Sequence, residues 1–301
     1  NQSYSGGGLY ITGGSSLTIK NVLLSNNVSL DRGGGLEITG STAEITNVTF
    51  YGNSSWGGGG IHFYGWSTVT LTNVILYNNT PNEIMFESTH PNNVITVSYS
   101  NISGGEDGIQ YGIVGTVNWD TGNIDSNPLF VDAANGDYHI SDYSPAIGAG
   151  TATGAPTTDI DGNIRPNPDG SNPDMGAYES SLASQRPKAG TIADGLSTDV
   201  DWSNSTSSLT ANWDAFTDDD AVTYEYAVGT STNALADVLD WTSNSANTSV
   251  TKTGLTLTEG STYYVSVRAT DTDSQLSDTT TTDGVTIDTD VPVISVVSEG
   301  S

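Results

Sequence analysis

Along the first hundred residues, apolar and polar positions alternate in short bursts, and the bursts recur. Leu17-Thr18-Ile19, Ala43-Glu44-Ile45 and Val69-Thr70-Leu71 each read apolar, polar, apolar, the period-two signature of a strand with one buried face. The recurrence is longer than any one strand: SGGGLYITGGSSLTIKNVLLSNN, RGGGLEITGSTAEITNVTFYGN and WGGGGIHFYGWSTVTLTNVILYNN are three versions of one segment. Asn21, Asn47 and Asn73 follow one another at intervals of 26 residues, and so do Asn27, Asn53 and Asn79. A period in the twenties, made of short strands without helical spacing, predicts a parallel β-solenoid whose coils pair strand on strand. Equivalent residues then lie about 4.8 Å apart. Both asparagine series are therefore expected to form structural ladders at the turns, and the glycine triplets to make tight corners. A fourth, degenerate coil follows at Ile95-Thr96-Val97-Ser98-Tyr99-Ser100, where Tyr99 stands in the asparagine register and the ladder is expected to end.

The pattern changes after Glu179. Ser184-Gln185-Arg186-Pro187-Lys188 reads as a polar linker, and SLTANWDAF, TYEYAVGTS, TSVTKTGLTL, STYYVSVRATD and TTDGVTIDT then alternate as strands separated by turn residues. Their number and spacing predict an antiparallel β-sandwich of about 100 residues. The expected organisation is solenoid coils and a closing tail over 1–181, a linker over 182–189, a sandwich over 190–289, and the start of a further module over 290–301. The whole is all-β.

Composition narrows the chemistry. The chain has 7 Lys+Arg against 35 Asp+Glu, a formal charge of −28, and no cysteine. So acidic a surface lacks the basic footprint that nucleic acid or an anionic membrane requires. It favours solubility and attracts divalent cations, and it suits a saline medium. Disulfides, thiolate metal sites and cysteine nucleophiles are excluded. No apolar run reaches transmembrane length, and NQSYSGGG lacks the basic start and apolar stretch of a signal peptide. The chain opens inside a coil, so it reads as a piece of something longer.

The glycine-rich coils, followed by VITVSYSNISGG, GNIDSNPLFVDAANGDYHISDYSPAIGAG and DIDGNIRPNPDGSNPDMGAYE, resemble the C-terminal part of bacterial right-handed parallel β-helix proteins of the pectate-lyase-like superfamily, the choice-of-anchor surface set in particular. Such tails are expected to close the end of the solenoid. In the second part, Trp213, Leu257, Gly260, Tyr263, Val265, Val267 and Ala269 resemble the fibronectin type III pattern with its tyrosine corner, although Glu259 stands where many members have proline. The resemblance implies a secreted or cell-surface bacterial protein with a structural, adhesive or carbohydrate-attachment role. Its partners would be an extracellular polysaccharide, another surface protein, or further copies of itself in a filament. The competing reading is a polysaccharide lyase or glycoside hydrolase whose active coils lie upstream.

Catalysis finds little support in the residues. A lyase needs a base beside carboxylates; only Lys20 and Arg32 lie in the repeats, with Glu37, Glu44 and His62 as possible neighbours, and the bases read as solvated charges, while Glu37 and Glu44, on one coil, read as structural rather than as a hydrolase pair. His62, His90 and His139 show no metal spacing. Trp56, Tyr64 and Trp66 decorate the coils and are the candidates for stacking on sugar rings. Structural calcium is the one cofactor the acids suggest. Asp159, Asp161 and Asn163 begin like a calcium loop but lack its closing Glu, and Arg165 offers them, or Asp174 and Glu179, an ion-pair clasp instead. In the sandwich Asp218, Asp219, Asp220, Asp271 and Asp273 are the loop acids that could hold calcium.

Overall fold

In a computed structural model, which describes residues 1–87, 92–110, 115–218 and 220–290, the chain forms two compact units, Asn1–Gln185 and Arg186–Ser301. The first is a solenoid of four full coils and the start of a fifth. One parallel sheet stacks Leu9–Ile11, Leu36–Thr39, Ile61–Tyr64, Ile84–Phe86 and Ile109–Gln110. A second is built on Ser16–Ser25 and Thr42–Tyr51, continued by Thr68–Thr72 with Ile75–Tyr77, then Asn93–Ser98 with Asn101–Ile102, then Gly115–Trp119. A third pairs Gln2–Ser5 with Val28–Arg32 and is extended by parallel bridges from Val28 to Ser54 and from Ser54 to Thr80.

Period-two alternation sends one face of each strand inward. Leu36, Ile61, Ile84 and Ile109 share one register column, and Ile38, Phe63 and Phe86 share the next. All are essentially fully buried, and the rings of Phe63 and Phe86 stack with centroids 4.7 Å apart. Burial of each such side chain stabilises the fold by about 1.5–3 kcal/mol. The glycine corners are steric necessities: a Cβ on Gly34 would stand 2.6 Å from the Gly59 carbonyl oxygen, and one on Gly59 would stand 2.3 Å from the Thr80 nitrogen.

The two asparagine series do different work. Asn27 Nδ2 donates to Asn53 Oδ1 at 2.9 Å, and Asn53 Nδ2 to Asn79 Oδ1 at 2.8 Å, while the backbone N–H groups of Asn27 and Asn53 donate to the same oxygens. This ladder ends on Glu83, whose carboxylate accepts from both the backbone and the side chain of Asn79. In the other series Asn21, Asn47 and Asn73 all take φ between 51° and 54°, a left-handed turn that asparagine tolerates better than most residues. Only one amide rung, Asn73 to Asn47, joins them directly. Tyr99 keeps the same left-handed turn at φ 48°, and the amide rungs stop there, but the coils do not. Gly115–Trp119 pairs with Asn93–Ser98, and Ile124 bridges Asn101. Ser100 and Asn123 take over at the adjoining position, each accepting the backbone N–H of the coil before it.

Residues 125–181 follow a path the sequence did not indicate: they run back along the flank of the solenoid that carries the second series. Asn47 Nδ2 donates to the Asp174 carbonyl at 2.9 Å, Asn73 exchanges hydrogen bonds with Thr151, and Asn21 Nδ2 donates to the Thr158 carbonyl. Apolar packing reinforces the seam through Ile75, Ile140, Ala146, Ile147 and Met175, and through Tyr51 edge-on to Phe130. The turn amides that a ladder leaves over are what hold the tail.

The second unit is a β-sandwich. One sheet has the order Ile192–Asp194, Ser208–Trp213, Ser249–Thr253. The other runs Trp202–Ser203, Val285–Ile287, Thr262–Thr270, Thr223–Gly229, Leu239–Ser245. Their inward residues, Leu209, Trp213, Tyr226, Val265, Val267 and Ile287 among them, share one core. The Tyr263 hydroxyl accepts the Thr258 backbone N–H at 2.9 Å. Of the expected further module, residues 291–301 lie outside the described residues.

Asn53 is fully buried and makes ladder bonds in both directions, so Asn53→Ala leaves several polar groups unsatisfied. It should cost about 2–4 kcal/mol in urea unfolding of the first unit. Burial raises the Glu83 pKa to about 7. The raised folded-state value means its contribution to stability is full below the ordinary value of 4.5 and is lost as pH rises through about 7. The thermal midpoint should therefore fall between pH 5 and pH 8, and Glu83→Gln should flatten that slope.

Candidate functional site

The first and third sheets meet at the glycine corner, and titratable side chains gather on its outer side. Glu37 and His62 occupy the outward register column of the first sheet, between Tyr10 and Met85. A residue pointing away from the core is ordinarily exposed, yet Glu37 is 4% and His62 1% exposed. The cover comes from neighbouring chain: Arg32 and Ser5 of the third sheet act on Glu37, and Arg32 acts on His62. Arg32 Nη2 lies 3.2 Å from Glu87 Oε2, and its guanidinium sits 5.3 Å from the centroid of the Tyr64 ring. His62 Nε2 is 3.7 Å from the same Glu87 oxygen.

Burial, and then the charge of Arg32, lowers the His62 pKa to about 4, so the imidazole is neutral near pH 7. Burial raises the Glu37 carboxyl above its ordinary range, against the opposing influence of Ser5 and Arg32. Glu37 Oε2 and His62 Nδ1 are buried without a hydrogen-bond partner among the described residues. Unpaired buried polar atoms of this kind concentrate at functional sites. Strand alternation alone cannot show that the outward positions of Glu37 and His62 are covered. The signal available was the shared place after each glycine run, GGGLY, GGGLE and GGGGIH.

The three candidate aromatics surround this cluster on one coil. Trp56 stands before the glycine corner and is 76% exposed, its backbone N–H donating to the Asp31 carbonyl. Tyr64 ends the strand, and Trp66 follows at φ 50°, 67% exposed. Tyr64 and Trp66 line a shallow depression floored by Gly13, Gly14, Gly40 and Gly65. Tyr4, Tyr10 and Leu30, which the sequence did not single out, are also exposed on the outer faces of the first and third sheets. Glu44 lies exposed on the second sheet, apart from Glu37, and Lys20 is tied to the Gly154 carbonyl at 2.6 Å.

The candidate calcium ligands of the tail do not converge. Both Asp159 oxygens are filled by N–H donors from Asp161, Asn163 and Glu179, an Asx-type turn with no lone pair directed at an ion. Asp161 turns to His139 Nε2 at 2.9 Å. Arg165 is paired with Glu179 at 2.8 Å, both side chains 0% exposed, and its Nη1 donates to the Gly176 carbonyl. Burial raises the pKa of both Asp174 and Glu179, and Arg165 opposes it. In the sandwich, Asp220, Asp271 and Asp273 are neighbours that influence one another, with Thr272 Oγ1 donating to Asp220 Oδ2 at 2.9 Å. Asp218 accepts the Asp220 backbone N–H. Asp219 and His90 lie outside the described residues.

Residues 2–147 match a family model described as a right-handed beta helix region. The first unit is accordingly a right-handed parallel β-helix. No curated protein matches the chain in sequence. Among solved structures, similarity is found to an α-L-rhamnosidase from Dictyoglumus thermophilum, at 16% identity and a TM-score of 0.27. The match covers 33% of this chain and 12% of that one. No helix among the described residues is long and apolar enough to cross a membrane.

A buried imidazole under a guanidinium should titrate far from solvent values. In an NMR titration of the histidine ring protons, His62 should show a midpoint near pH 4. A midpoint near 6.5 would mean that water reaches the cluster freely.

Proposed function

We propose that the outer face of the first sheet is a carbohydrate-attachment surface on an extracellular bacterial protein, with the β-sandwich serving as a fibronectin type III-like spacer. The carrying observation is that Trp56 and Trp66 stand 76% and 67% exposed on one coil, on either side of the strand Ile61–Tyr64. Indole surface left in water is costly, and tryptophan suits a partner that is apolar on one face and wet on the other. A sugar ring is such a partner. The strand between them is about 13 Å long, a span suited to an oligosaccharide segment.

The buried cluster supports this reading as scaffold. Arg32, Glu87, Glu37 and His62 form a buried cluster beside the strand, and the Arg32 guanidinium sits over the Tyr64 ring that lines the glycine-floored depression.

The test is a glycan-array screen of the whole chain, followed by affinity measurement on the best ligand. Trp56→Ala and Trp66→Ala should each weaken binding roughly tenfold, and Trp56→Ala, at a 76% exposed side chain, should do so without moving the thermal midpoint. Retention of no glycan, or an unchanged Kd in the double variant, overturns the reading.

A further inference from the structure

A second group of charged residues lies in the sandwich, independent of the carbohydrate face. Asp194 ends the strand Ile192–Asp194, Asp199 follows in the next loop, and Asp283 precedes the strand Val285–Ile287. Two of them close in sequence and the third some 90 residues on, the three carboxylates each place an oxygen within 4.8 Å of the other two. Asp194 is 0% exposed; the Thr282 side chain lies beside its carboxylate, yet Oδ1 has no well-aligned hydrogen bond among the described residues. The backbone holds the group in place: Gly284 N–H donates to Asp194 Oδ2 at 3.1 Å, and Asp194 N–H donates to Asp199 Oδ1 at 3.1 Å. Neither 190–201 nor 280–288 contains a Lys or Arg to offset the charge.

We propose that Asp194, Asp199 and Asp283 bind a calcium ion that ties the first loop of the sandwich to its last strand. Three negative groups held this close repel one another unless a cation intervenes. An all-oxygen, carboxylate-rich donor set selects a hard cation. Asp199 and Asp283 are exposed, which leaves room for water ligands and for the irregular coordination calcium accepts and magnesium resists. Because ligands some 90 residues apart meet only in the folded state, the ion stabilises the folded form.

Calorimetric titration of the chelator-treated whole chain with calcium chloride, paired with thermal unfolding, tests this. The parent should bind calcium at least tenfold more tightly than magnesium, with a rise of roughly 5 °C or more in the sandwich transition. Asp194→Asn and Asp283→Asn should each lose one equivalent and most of that rise, while Asp240→Asn, at an exposed position outside both acidic groups of the sandwich, keeps both. Asp283 is exposed, so its variant reports on binding even if Asp194→Asn folds poorly. Absence of calcium uptake by the parent, an Asp283→Asn variant with unchanged stoichiometry and midpoint gain, or loss of the equivalent in Asp240→Asn would each overturn the proposal.

Discussion

A coil that turns inside a stack has backbone amides where neither water nor a sheet partner can reach them. The asparagine side chain answers that constraint, since one amide both donates and accepts. In the column Asn27, Asn53, Asn79, the Oδ1 atoms of Asn53 and Asn79 each take the backbone N–H and the side-chain N–H of the coil before, so these turns are satisfied by the stack itself. Such a column must end somewhere, and its last member has no successor. Glu83 fills that place with two oxygens for two donors, at the cost of a carboxylate buried in the turn.

The other column shows what happens when the amides are not used up within the stack. Asn21, Asn47 and Asn73 spend most of their capacity on carbonyls and an N–H of residues 151–176. The tail is largely irregular, so its own backbone groups need partners, and the flank of turns supplies them. A tail lying across several coils also couples them, because separating any two would strand polar groups on both sides of the seam. The Arg165–Glu179 pair, with Asp174 beside it, belongs to the same closure. A buried pair adds little net energy, but losing either partner leaves an uncompensated charge, which fixes the path of the tail.

Much of this was legible in the sequence, for physical reasons. The inward aliphatic columns and the asparagine spacing repeat because every coil meets the same packing and hydrogen-bonding problem, and the glycine runs repeat because a Cβ at Gly7, Gly34 or Gly59 would stand under 3 Å from the next coil's backbone. What the sequence hid depends on curvature and on long-range closure. Glu37 and His62 alternate outward like solvated residues and are covered only because a second sheet folds toward them. The DIDGN segment looks like an ion loop, but its first aspartate is consumed by local N–H donors. Asp194 and Asp283 become neighbours only when the first and last strands of the sandwich close on one core.

A solenoid thus separates its two kinds of position by whether they repeat. Leu36, Ile61 and Ile84 are near-equivalent because the core demands it, whereas the neighbouring outward column runs Tyr10, Glu37, His62, Met85 and changes chemistry at every step. Repetition marks what holds the stack together; departure from it, at a place where backbone geometry stays the same, is free of that demand. The exposed indoles follow the same rule. Trp56 and Trp66 have no aromatic counterpart 26 residues earlier, where Leu30 and Gly40 stand at or next to the matching places, so neither ring is required by the coil.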